Sequence, residues 1–308
     1  MTTRTLFAMA LAMALACAGG KDDTGEPDDT SGGGTPQLDV LFVLDNSSSM
    51  SDSSQGVAEL ARDLIAALDA DGVDYRVGLT TSDVEVLGGQ LLTGALSPEQ
   101  LPALAMTEAV YCEATCWNVN SLPSVPSYTC GDPITQVSVE VLDCVCGVEA
   151  WEGRCGSGNE EMLEAAWLDA CTGAGGTLAD CSDGTLGFNG ATSGLGRTGV
   201  PLVVFMITDE GDYSRRLNQG EDDPSLYLSL FSDAGVEPIF VVVGPDYDRD
   251  NNSLACNSGG GTPWGISRLL TAADTTGGAY APIEADDGSG CANQDFSSLA
   301  QTIAGYAE

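Results

Sequence analysis

Twice in this chain an unbroken apolar run stops at an acidic turn: Val40 to Leu44 ends at Asp45, and Leu202 to Ile207 ends at Thr208-Asp209. Short continuous runs of this kind suit strands buried on both faces of a parallel sheet. Tyr75, Val77 and Leu79 alternate within Asp74 to Ser82 and predict another strand, as do Val236 to Val243 and Ala279 to Ile283. Between these runs the period changes. Val57, Leu60, Ala61, Leu64, Ile65 and Leu68 form one apolar stripe of an amphipathic helix that ends near Gly72. Met162, Leu163, Ala166, Trp167 and Ala170 form a second stripe, and Asp223-Pro224 opens a helix bearing Leu226, Leu230 and Phe231. Pro263 to Ala273 and Phe296 to Ile303 complete the helical set. Strand and helix alternating in this way predict an α/β fold, a doubly wound and mostly parallel sheet flanked by helices. Ligands of such sheets gather beyond the carboxyl ends of the strands, where Asp45 and Asp209 stand.

Four stretches interrupt the alternation. Val84 to Leu92 around Gly88-Gly89 reads as the return strand of a hairpin, and Ser97-Pro98 opens a short helix to Ala109. Cys112 to Cys155 holds six cysteines with little helical period and reads as a disulfide-stapled insertion, a decoration or a recognition loop. Cys171 to Gly199 is a glycine-rich loop bounded by two cysteines, Cys171 and Cys181. Asp246 to Asn251 resembles a calcium loop only faintly, with Asn251 and Asn257 where glycine and glutamate belong, and reads as a solvated acidic loop.

The beginning of the chain is a targeting segment. Arg4 precedes the apolar core Leu6 to Ala16, shorter than the ~20 apolar residues a membrane span takes. Residues 1–17 therefore read as a signal peptide. Its Ala14-Leu15-Ala16-Cys17 ending resembles a bacterial lipoprotein signal, which implies lipidation of Cys17 and, with Ala18 next, the outer membrane; the alternative is plain secretion. Residues 18–36 carry no large apolar side chain and form a flexible acidic tether. Residues 37–308 form the folded domain.

Composition removes many functions. The formal charge is −36, from 46 acidic and 10 basic residues. Such a surface repels nucleic acid and anionic lipid and attracts divalent cations. There is no histidine, so Ser-His-Asp and Cys-His pairs, imidazole zinc sites and histidine-ligated haem are excluded. Of eleven cysteines, Cys17 is set apart and ten remain. In an exported chain these predict five disulfides rather than a zinc site, with the pairing left open.

The turn after the first strand carries the chemistry. Asp45-x-Ser47-x-Ser49-Met50 offers one carboxylate and two hydroxyls to a hard cation. Following a buried strand, that motif resembles the opening of the von Willebrand factor A (VWA) domain and its metal-ion-dependent adhesion site. Thr208-Asp209-Glu210-Gly211 resembles the third loop of that site, Ser157 ahead of the Met162 helix its second loop, and Leu269 to Tyr280 the family's carboxyl-terminal pattern. The resemblance implies that Ser47 and Ser49 bind Mg²⁺ (or Ca²⁺ or Mn²⁺) directly, Ser157 adds a hydroxyl, and Asp45 and Asp209 act largely through waters. It also implies that a protein ligand supplies a carboxylate to complete the ion's shell, without enzymatic turnover. Each element has a plainer alternative: a serine-rich turn at 47–49, an acidic turn at 209–212, and a capping box in Ser157-x-x-Glu160. The expectation is a surface-tethered adhesion lipoprotein. The alternatives are a structural envelope protein without a working metal site and a metal-dependent hydrolase.

Overall fold

The first apolar run forms β1 (Gln37–Leu44), and the sheet is laid down on both sides of it. After α1 (Ser54–Ala70), β2 (Asp74–Thr81) pairs with β1, and later in the chain β3 (Leu202–Ile207) pairs with its other edge. Parallel pairs then add β4 (Pro238–Gly244) and β7 (Ala279–Pro282), giving a five-stranded sheet in the order β2-β1-β3-β4-β7. The remaining elements are the helices α2 (Met162–Gly173), α3 (Leu178–Cys181), α4 (Ser225–Asp233), α5 (Ile266–Thr276) and α6 (Ser297–Ala304), a 3-10 turn at Gly305–Ala307, and two antiparallel pairs, β5 (Asp246–Asp248) with β6 (Ser253–Cys256) and β8 (Glu284–Asp286) with β9 (Cys291–Asn293). The computed structural model describes residues 35–47, 50, 54–84, 91, 160–176, 178–182, 195–218, 221–251, 253–256, 265–286 and 291–307, within the unit Thr35–Glu308. Outside them lie residues 1–34 with Cys17, most of the Val84–Leu92 hairpin, the 98–109 helix, the 112–155 insertion, Ser49 and Ser157. Among the described residues no helix is long and apolar enough to cross a membrane.

Strand alternation divides the interior into two cores. Val40, Phe42, Leu44, Val203, Phe205, Ile207, Val241 and Val243 face α1 and α6, with Phe42 stacked on Phe205 at a centroid distance of 5.2 Å. The alternate positions Leu41, Val43, Val204, Met206, Phe240 and Val242 face α2, α4 and α5, where Phe231 meets both Trp167 and Phe240 edge-on. Both faces being covered, the strands at the centre of the sheet are apolar without a break over Val40–Leu44, Leu202–Ile207 and Ile239–Val243, as the continuous runs predict. The stripe Val57 to Leu68 is wholly buried in the first core, and Met50 pins the turn after Asp45 to the same core. Gly277 ends α5 in the left-handed region with φ 71°. A Cβ on the following Gly278 would collide with the Phe240 carbonyl as β7 meets β4.

Two local expectations change. Asp246 to Asn251 is the start and turn of the β5–β6 hairpin rather than a solvated loop. Asp248 Oδ1 accepts the Asp250 and Asn251 amides at 2.9 and 3.2 Å, so the acid is spent on building the turn. Cys171 belongs to α2, and its disulfide with Cys181 ties the helix to α3. The second described disulfide, Cys256–Cys291, joins the β5–β6 and β8–β9 hairpins.

The amino end of the sheet is held by one arginine. The Arg197 amide and Nε donate to the two oxygens of Asp39 at 2.9 and 2.8 Å. Its Nη1 reaches Asp74 Oδ2 at 3.0 Å, and Nη2 donates to the Leu38 and Asp74 carbonyls at 3.2 and 3.0 Å. Asp39 is fully buried, so loss of the guanidinium strands a charge inside the protein. Arg197→Met is therefore expected to lower the unfolding free energy by about 3–5 kcal/mol in denaturant titrations. Arg62→Met, which removes an exposed pair with Asp63, should change it by no more than about 1 kcal/mol.

Candidate metal centre

Leu44 and Ile207 are register partners, so the residues that follow them leave the sheet side by side. The Asp45 amide donates to the Ile207 carbonyl at 2.8 Å, and the Thr208 amide to Val243 at 3.0 Å. Asp45 is fully buried. Its Oδ1 accepts the Ser47 amide at 2.8 Å, and its Oδ2 accepts the Thr208 hydroxyl at 2.8 Å. Thr208 Oγ1 in turn accepts the Glu210 amide at 3.0 Å. The Ser47 hydroxyl and Asp209 also hydrogen-bond Asp45, yet its carboxyl is raised above the ordinary range because burial outweighs them. Asp209 is itself buried.

A third segment reaches the same place. The Ser82 amide donates to the Leu44 carbonyl at 2.9 Å, the Glu161 amide to Ser82 at 3.1 Å, and the Tyr213 amide to Glu160 at 2.7 Å. Glu160 is thus tied by its main chain to the loops after β2 and β3, and its side chain is 1% exposed. Its acidic neighbours are Asp45, Glu210 and Asp209, and burial followed by their like charge pushes its carboxyl up to about 9. Glu210 is raised for the same reasons, burial first and Asp45 second. Sequence reasoning missed Glu160 as a site residue. The Glu160-Glu161 pair ahead of an apolar helix was the available signal, and it also fitted a helix cap. Glu160 precedes the helix: α2 begins at Met162, with Glu161 in the cap position and no side-chain cap from it.

The cap comes from elsewhere in the chain. Asp212 Oδ1 accepts the Leu163 amide at 3.2 Å, and Ser214 Oγ accepts the Glu164 amide at 2.9 Å. These two oxygens satisfy donors that open every helix, at its positively polarised end. Arg268 holds Asp212 at 2.9 Å, and Gly265, with φ 73°, lets α5 start where a Cβ would strike the Asp212 backbone. Asp212 is thereby a structural acid, whereas Asp209 faces Asp45. Behind them Arg215 grips both oxygens of Glu161 at 2.6–2.7 Å, and Arg216 those of Glu164 at 2.7–2.9 Å. Tyr227 adds a 2.7 Å hydrogen bond to Glu164.

Of the residues singled out in the sequence, Asp45, Ser47 and Asp209 are brought together; Ser49 and Ser157 lie outside the described residues. Among the described residues no three acidic or sulfur side chains stand together as a group that could hold an ion. The donor chemistry fits a hard divalent cation nonetheless. Carboxylates and hydroxyls make up the set, and Glu160 Oε2 is buried without a hydrogen bond.

No protein-family model matches the chain, and no curated protein does. Among solved structures it is similar to an aerotolerance-related membrane protein from Bacteroides fragilis NCTC 9343, at 16% identity over 88% of this chain and 98% of that one, with a TM-score of 0.33. A likeness at that level carries no argument about function.

The acidic cluster makes stability depend on pH. The folded protein retains a proton on Glu160 up to about 9, whereas its ordinary value is 4.5. The resulting stabilisation is complete below the ordinary value and is lost as the pH rises through the folded one. In EDTA, the thermal midpoint of the wild type should therefore fall more steeply than that of Glu160→Gln between about pH 5 and pH 9. Saturating divalent ion should flatten the wild-type curve. Parallel curves for the two proteins in EDTA would refute this account of Glu160.

Proposed function

We propose that this chain is a surface-tethered lipoprotein, anchored through Cys17, whose VWA-like domain binds a protein ligand through a divalent ion held at Asp45 and Asp209. The observation that carries the reading is the emergence of these two buried carboxylates from register-paired strands, at the edge where open α/β sheets hold ligands. Supporting it are the Asp45-x-Ser47-x-Ser49 motif, the Thr208 hydroxyl that fixes Asp45, and a composition without histidine that leaves oxygen as the natural ligand atom.

The bound ion would supply a positive centre to which an acidic side chain of the partner binds. The chain's own residues prepare that centre. Thr208 and the Ser47 amide hold Asp45 in one orientation. Ser47, Ser49 and Ser157 offer neutral oxygens, which leave charge on the ion for the incoming carboxylate. The buried floor under Asp45 and Asp209 excludes water and strengthens that attraction. The single lysine of the chain, Lys21, lies in the tether, so no phosphate-gripping lysine stands beside the Asp45 motif, and recognition fits better than turnover.

Calorimetric titration of Mg²⁺ or Ca²⁺ should give a saturable heat with the wild type and none with Asp209→Ala, while the circular dichroism of the two proteins agrees. Envelope protein recovered on the immobilised domain with divalent ion should be absent with EDTA or Asp209→Ala. Equal metal affinity in the two proteins would place the site elsewhere and remove the adhesion reading with it.

A further inference from the structure

We propose that the amino edge of the sheet, opposite Asp45 and Asp209, carries a second site: a cavity that takes a small organic amine with an apolar body. The cavity measures about 790 Å³, within the ~300–1,000 Å³ typical of small-molecule sites. It opens where α4 and α5 end and β3 and β4 begin, and Val200, Pro201, Leu228, Val236, Pro238 and Ile239 supply its apolar wall. Of these, Val200, Pro201, Leu228 and Ile239 are only half-buried. An apolar ligand seated there removes from water a surface that the fold itself leaves open.

Charge selects the ligand's head group. The carboxyl ends of α4 and α5 both border the cavity, through Ser232 of one and Thr275 and Thr276 of the other. A helix is negatively polarised at that end, and neither helix has a basic residue in its last turn to offset this. Arg249 reaches the last turn of α5 from outside it, where it is matched by Asp274 at 2.7 Å. Among the described residues the cavity lining holds two charged side chains, Arg197 and Glu237. Arg197 is spent on Asp39 and Asp74, at 2.8 and 3.0 Å, whereas Glu237 is exposed.

An apolar wall in a negative field suits one class of ligand. An ammonium group lies beside Glu237 and the helix ends, and its hydrocarbon lies against Leu228 and Val236. An anion finds no uncommitted guanidinium in the lining, and a neutral molecule gains the apolar contact alone. The eight residues of β1 put about 25 Å between this edge and the one that bears Asp45. The amine site therefore stands or falls separately from the divalent centre.

The test is titration of hexylamine into the isotope-labelled full chain, read from backbone amide shifts, with hexanol and hexanoate as neutral and anionic counterparts. Physiological ionic strength screens the chain's overall charge beyond ~8 Å. Hexylamine should saturate, move the amides of Val236, Glu237 and Thr276 most, and bind at least about fivefold more tightly than hexanol, with hexanoate weaker still. Glu237→Lys should weaken hexylamine at least about fivefold and leave hexanol unchanged. Leu228→Trp, which fills the cavity, should weaken both. Hexanol or hexanoate binding as tightly as hexylamine overturns the assignment of an amine. Shifts that do not saturate, that centre elsewhere, or that persist unchanged in both variants overturn the site. Should Leu228→Trp fail to fold, Glu237→Lys, a change at an exposed position, decides.

Discussion

Like charge confined at one end of a buried sheet is the constraint around which this protein is arranged. Asp45 and Asp209 leave adjacent strands because β1 and β3 are paired, and Glu160 is tied to the same edge through Ser82 and Tyr213. Burial raises the cost of each charge, and proximity raises the cost of having several. Two remedies exist: a proton on one of the acids or a cation among them. A proton on Glu160 serves up to about pH 9, whereas a divalent ion at Asp45 and Asp209 would relieve those acids and remain available to an outside carboxylate.

The residues around the cluster are placed to keep it from relaxing. A buried acid without a partner would ordinarily move toward water. Here Arg215, Arg216 and Arg268 fix the acids that flank it, and Asp212 caps α2 from the loop after β3. The loop and the helix thus form one hydrogen-bonded body under the site. Arg197 performs a comparable service at the opposite end of the sheet, where it binds Asp39 and Asp74 and keeps β1 and β2 in register. With few basic residues in a chain of formal charge −36, several of them are committed to buried acids rather than to the surface.

Much of this was legible in the sequence because it depends on local pattern. The runs at Val40 and Leu202 announce strands covered on both faces, and the Val57 to Leu68 stripe announces a helix with one buried side. Asp45 and Asp209 could be matched because each ends such a run. Tertiary contacts were not legible. Nothing local distinguishes Asp212, which caps the Leu163 amide 49 residues earlier in the chain, from Asp209 three positions before it. Glu160 had a local explanation as a cap, yet it lies ahead of the helix, whose Leu163 and Glu164 amides are taken by Asp212 and Ser214. Asp246 to Asn251 looked like a loop because acids dominate it; Asp248 turns the hairpin with its own carboxylate. The pairings Cys171–Cys181 and Cys256–Cys291 likewise follow from three-dimensional neighbours.

The most direct test of the central claim is crystallographic: anomalous difference density from crystals of the domain grown with Mn²⁺, whose signal identifies the metal itself. The account predicts a single strong peak between Asp45 and Asp209, with the Ser47 hydroxyl in its coordination shell. Density there from ordered water alone, or a metal peak only elsewhere on the molecule, would contradict it.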